Sequence, residues 1–158
     1  MNNPEVVMVG LGYIGLPTAA LIAQNKTYVH GVDINPKVVE TINKGQIHIV
    51  EPELDIAVEK AVKEGYLKAD IKPVIANNYL IVVPTPFKSK NEPDISFVES
   101  ATKSVIPLLK EGDLYIIEST SPIGTTEKMR DLIYSERPEL KDKLFIAYCP
   151  ERVLPGNV

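Results

Sequence analysis

The chain has 158 residues, a charged fraction of 24%, a net charge of −4, one cysteine and two histidines. That length suits one domain with a self-sufficient core. The surface lacks the basic stripe that phosphate backbones require, which speaks against a nucleic-acid partner. A single cysteine permits no internal disulfide and no paired thiols for zinc, in keeping with a reducing cytoplasm, and His30 and His48 are too few for a metal site.

Residues 6–23, "VVMVGLGYIGLPTAALIA", carry no charge over eighteen positions, long enough to span a bilayer. Three glycines and Pro17 interrupt them, and Asn2, Asn3, Pro4 and Glu5 supply none of the positive charge that precedes a signal peptide's apolar run. Neither membrane insertion nor export is expected. The segment predicts a strand over 6–9, a tight turn, and a helix over 13–25 that accommodates Pro17 because the earliest helical amides lack partners. "YVHGVD" is the next strand, followed by a helix over 36–44. "EPELDIAVEKAVKEGYL", residues 51–67, places Leu54, Ala57, Val58, Ala61 and Val62 on one helical face, with Gly65 at its end. Then come a strand "YLIVVPTP", a helix over 93–109, a strand "DLYIIEST", a helix over 124–135 and a last strand "LFIAY".

Strands that are apolar throughout and alternate with helices imply a parallel sheet covered on both sides. The expected fold is a doubly wound, Rossmann-type α/β domain occupying residues 1–158. Such folds bind ligands at the carboxyl edge of the sheet. The polar, proline-flanked loop "TPFKSKNEPD", residues 85–94, leaves a strand at that edge.

Gly10-Leu-Gly12-Tyr-Ile-Gly15 fits G-x-G-x-x-G between a strand and a helix. Gly10 permits the sharp turn, Gly12 lets a pyrophosphate approach the backbone, Gly15 lets helix pack on strand, and the helix amides face the phosphates. Alone the pattern is weak, since flavin, S-adenosylmethionine and purely structural turns share it. Asp33, eighteen residues beyond Gly15 at the end of the second strand, strengthens it. An acid there accepts hydrogen bonds from ribose hydroxyls and repels a 2′-phosphate, so the expected cofactor is NAD rather than NADP. Its blander role is to cap the next helix. Lys37 is either a solvated first-turn lysine or a phosphate contact. Thr85, Thr120 and Thr126 place hydroxyls where the nicotinamide half would lie, although Thr125 or Thr126 could instead cap a helix. Cys149 ends a strand at the same edge with nothing to activate it, and reads as inert. His48, in a loop with Glu51, is either a packing element or part of a substrate-side surface.

"VGLGYIGLPTAALIA", "GVDIN", "INKGQIHIVEPEL", "VPTPFK", "ESTSPIGTTEKM" and "AYCPERVLPGNV" together resemble the NAD-binding domain of the UDP-glucose/GDP-mannose dehydrogenase family. "HIVEPEL" and "CPERVLPG" resemble its UDP-N-acetyl-D-mannosamine branch, where UDP-glucose enzymes tend to carry N-P-E-F in place of "CPER". The resemblance implies oxidation of the sugar's primary alcohol to a carboxylate with two NAD⁺ reduced, in polysaccharide biosynthesis. It implies that Tyr13, Ile14, Asp33, Thr85 and Thr126 contact NAD, and that Arg152 and Val153 contact the UDP-sugar substrate. The family's covalent chemistry uses a lysine and a cysteine from a later segment, so no catalytic residue is expected in this chain. It is expected to be the amino-terminal part of a longer enzyme, inactive alone. Full-length members usually dimerise through the central helix, which leaves this fragment able to stand as a monomer. Two other readings share the turn and the acid. One is another NAD-linked dehydrogenase of the hydroxyacid or 6-phosphogluconate type, without "CPERVLPG"; the other is a non-enzymatic NAD-sensing module.

Overall fold

The computed structural model describes residues 3–88 and 92–150. The elements in order are β1 (Val6–Val9), α1 (Gly15–Gln24), β2 (Val29–Val32), α2 (Pro36–Asn43), α3 (Leu54–Lys63), β3 (Leu67–Asp70), β4 (Asn78–Ile81), α4 (Ser96–Val105), β5 (Leu114–Ile117), α5 (Thr125–Glu136) and β6 (Phe145–Tyr148). The six strands form one sheet in the order β3-β2-β1-β4-β5-β6. Every pairing is parallel. This is the doubly wound α/β fold, and its strand order reverses between β1 and β4, where such sheets open a crevice for ligands.

Strand residues alternate between two cores. Val6 and Met8 pack with Val29, Leu67 and Ala69 beneath α1, α2 and α3. Val7 and Val9 pack with Tyr79, Ile81, Tyr115 and Ile117 beneath α4 and α5. Because β1 contributes to both, all four of its residues are buried, which is why it reads as an unbroken apolar run. In the second core the Tyr115 hydroxyl lies 2.6 Å from Thr102 Oγ1, which itself donates to the Val98 carbonyl at 2.6 Å. Burial pushes the Tyr115 hydroxyl well above the usual phenol range.

Several element bounds differ from the expectation. The helix expected over 51–67 stops at Lys63, and a short edge strand, β3, follows. Only Leu67 and Ala69 of β3 are buried while Lys68 is exposed, so its two-residue period is too brief to stand out against the preceding helix. β4 ends at Ile81, and Val82 onward forms a loop at the sheet edge. The helix before β5 ends at Val105 and tightens into a 3₁₀ turn over Ile106–Leu108, where Pro107 cannot donate to a regular helical ladder. On the outer strand β6, Phe145, Ala147 and Tyr148 are exposed.

Candidate functional site

At the switch point the backbone turns sharply at Gly10, with φ +102°, a conformation costly for any residue with a Cβ. Such a Cβ would also strike the Val82 carbonyl, and one at Gly15 would strike the carbonyl of Gly10. Gly12 differs, because a Cβ there meets nothing of the protein within 4 Å. Two of the three glycines therefore let the protein close on itself, and the third leaves space open to a ligand.

Asp33 ties this turn to β2. Its Oδ2 accepts from the Leu11 amide at 3.2 Å and its Oδ1 from the Asn35 amide at 2.9 Å, while its own amide donates to the Asp70 carbonyl at 3.1 Å. The cap of α2 is Asn35, whose side chain accepts from the Lys37 amide at 3.1 Å. Asp33 thus sits two residues before the cap, fixed by both carboxylate oxygens at the mouth of the crevice. α1 begins at Gly15 with Ile14 as its cap residue and no side chain bonded over its start, although the Leu16 and Thr18 amides already donate to the Gly12 and Ile14 carbonyls at 3.1 Å and Pro17 has no amide hydrogen.

The crevice encloses about 370 Å³. Gly10, Gly12, Tyr13, Ile14 and Asp33 line one side of it, and Thr85, Glu118 and Thr120 line the other. The loops after β4 and β5 meet there, with Thr85 Oγ1 donating to the Thr120 carbonyl at 2.9 Å and lying 3.3 Å from Thr120 Oγ1. Thr126 faces a neighbouring cavity with Ser121, Tyr148 and the start of α5. Thr125 caps no helix amide; its hydroxyl donates to the Pro122 carbonyl at 2.8 Å, and Gly124 occupies the cap position. Lys37 and His48 are exposed, and Glu51 is buried. Cys149 is exposed just beyond β6, its amide donating to the Ile117 carbonyl at 2.9 Å. Arg152 and Val153 lie outside the described residues. Among the described residues no three His, Cys, Asp or Glu side chains gather as metal ligands, and no helix is long and apolar enough to cross a membrane.

An open space at Gly12, a helix start with no side-chain cap, a carboxylate at the end of β2 and a hydroxyl-bearing far wall together suit a dinucleotide. The family model for the UDP-glucose/GDP-mannose dehydrogenase NAD-binding domain matches residues 4–158. The chain belongs to this family. Within it, the UDP-N-acetyl-D-mannosamine dehydrogenase of Yersinia pestis is 55% identical over 100% of this chain and 40% of its own length. The enzyme of the same name from Campylobacter jejuni is 52% identical over 98% of this chain and 40% of its own. The solved UDP-N-acetyl-mannosamine dehydrogenase of Staphylococcus aureus superposes with a TM-score of 0.89 at 38% identity, covering 96% of this chain and 37% of that one. The chain thus spans about 40% of the length of the curated relatives it matches. As the NAD-binding domain of a UDP-glucose/GDP-mannose dehydrogenase, it takes NAD as cofactor.

Sequence reasoning singled out Gly10, Gly12, Tyr13, Ile14, Asp33, Thr85 and Thr120, which the fold brings to one crevice, while Gly15 lies buried behind it. It passed over Glu118, which the end of β5 delivers to the same wall. The available signal was position, since Glu118 directly follows the last residue of an apolar strand.

Proposed function

We propose that this chain is the cofactor half of a longer, dimeric nucleotide-sugar dehydrogenase that oxidises UDP-N-acetyl-D-mannosamine to UDP-N-acetyl-D-mannosaminuronate. The observation that carries the reading is the 55% identity to a dehydrogenase of that name along the whole chain, together with a crevice suited to NAD at the switch point. In this reading one primary alcohol and one water become a carboxylate, with two hydrides passing to two NAD⁺ and three protons released. When bound, NAD⁺ supplies the hydride acceptor. The chain's own part is to bind and orient it. Asp33 holds the adenosine ribose, the first turn of α1 faces the pyrophosphate, and Thr85 and Thr120 border the nicotinamide half, with Tyr13, Ile14 and Thr126 as further contacts. Arg152 and Val153 contact the sugar nucleotide, and the covalent chemistry falls to residues outside this chain. Alone, the chain binds NAD⁺ and oxidises nothing, since positioning the alcohol against the nicotinamide supplies about 7–11 kcal/mol in favourable cases.

The test is NADH formation by the longer protein and by this chain alone, each supplied with UDP-N-acetyl-D-mannosamine, UDP-glucose or GDP-mannose. The longer protein should turn over the first in preference, and the chain alone none. Preference for another sugar nucleotide, or turnover by the chain alone that Cys149→Ala abolishes, overturns the reading.

A further inference from the structure

The two edges of the sheet are finished differently. On β3, the Asn43 side chain closes on Ala69 as a strand would, its Nδ2 donating to the Ala69 carbonyl at 2.9 Å and its Oδ1 accepting from the Ala69 amide at 2.8 Å. On β6, the Phe145 and Cys149 amides donate to the carbonyls of Asp113 and Ile117. Alternate residues of a parallel strand turn the same way, so Ile146 and Tyr148 direct their backbone groups outward. Among the described residues nothing bonds to them. The faces differ as well. Ile146 packs into the second core with Tyr115 and Ile117, and the pleat turns Phe145 and Ala147 to the other face, beside their register partners Leu114 and Ile116. Neither core takes in these four residues. The core beneath α1, α2 and α3 reaches Leu80 of β4 but not β5, and Phe145 is left 67% exposed. An apolar face beside an open edge invites association unless something covers it.

We infer that the open edge of β6, with the face formed by Leu114, Ile116, Phe145 and Ala147, is the docking surface for the segment of the longer dehydrogenase that follows residue 158. The inference rests on the reading of this chain as part of a longer protein. β5 is laid outside β4 and β6 outside β5, and consecutive strands usually neighbour one another, so a later strand falls outside β6 and pairs along Ile146 and Tyr148. A right-handed crossover to it runs on the α4 and α5 side. The bare face is therefore covered by apolar side chains further along. Tethering supplies an effective concentration in the millimolar range, so a small contact suffices. A second copy of this chain has no tether, and a four-residue strand with four apolar side chains falls short of the roughly 800 Å² per partner that a stable dimer buries.

The experiment compares amide hydrogen exchange and thermal unfolding of this chain with those of the longer protein. Residues 145–148 should exchange at least about tenfold more slowly in the longer protein. Phe145→Lys should leave the thermal midpoint of the chain alone within about 2 °C and lower that of the longer protein by at least about 4 °C. Tyr148→Pro is the second variant, removing an outward amide that an edge strand does not use, and it should show the same contrast. Equal exchange in both proteins, or variants as silent in the longer protein as in the chain alone, overturns the inference. So does a concentration-dependent dimer of the chain alone that Phe145→Lys dissolves, since a second copy would then be the occupant. Protection at 145–148 in a longer protein that oxidises a different sugar nucleotide would leave this surface standing and count only against the proposed substrate.

Discussion

On the β2 side the crevice is built from backbone, with a glycine turn pressed against its neighbours and a single carboxylate holding that turn through the Leu11 amide. On the β4–β5 side it is built from side chains carried on two loops, joined by the hydrogen bond from Thr85 to the Thr120 carbonyl. The first wall tolerates almost no change in chain shape, whereas the second can change its chemistry by exchanging residues on a standing scaffold. The comparison teaches that a common cofactor half can be fixed by packing while the half that meets the reaction stays adjustable.

Breaking the first wall should have the largest effect. Gly15→Ala drives a Cβ into the Gly10 carbonyl and should cost about 3 kcal/mol or more, seen as a lowered denaturation midpoint or as failure to fold. Gly12→Ala is its counterpart. The new methyl meets only open space, so stability should stay within about 0.5 kcal/mol while NAD⁺ affinity falls at least about tenfold. Equal stability losses in the two variants would erase the distinction between a glycine kept for packing and one kept for a ligand.

Asp33→Ala should come next. Charged hydrogen bonds contribute about 1.5–3 kcal/mol each, so NAD⁺ should bind roughly ten- to a hundredfold more weakly, with NADP⁺ poor on the unsubstituted chain. Titration showing NADP⁺ to be the tighter ligand would reverse the reading of this wall. The smallest effect is expected at the second wall. Thr85→Val keeps the shape but deletes the donor to the Thr120 carbonyl, and it should raise the NAD⁺ Kd about threefold with a stability loss of about 0.5–1 kcal/mol. A loss of binding matching that of Asp33→Ala would mean the two walls are equally rigid.

The same division governs what could be read from the chain. The glycine turn and Asp33 lie within a βαβ unit, so their roles follow from local spacing and they reach the expected positions. Thr85 and Thr120 stand 35 residues apart, and only the parallel pairing of β4 with β5 brings them together. Thr126 followed the same reasoning as Thr120 but sits one helix entry further on, which turns it toward the neighbouring cavity with Tyr148. Glu118 was passed over because nothing but its place after an apolar strand marks it, whereas among the described residues it and Asp33 are the charged side chains that line the crevice. In the fold, the long apolar runs of β1, β4 and β5 announced themselves, while β3, just beyond the helix ended by Gly65, went unread because two buried side chains make too short a pattern.

The contact between Gly15 and the Gly10 carbonyl also bears on how a ligand arrives. No side chain fits between α1 and the end of β1, so the floor of the crevice is set by backbone packing. A dinucleotide meets that floor already in its final form, and any adjustment on docking falls to the loops after β4 and β5.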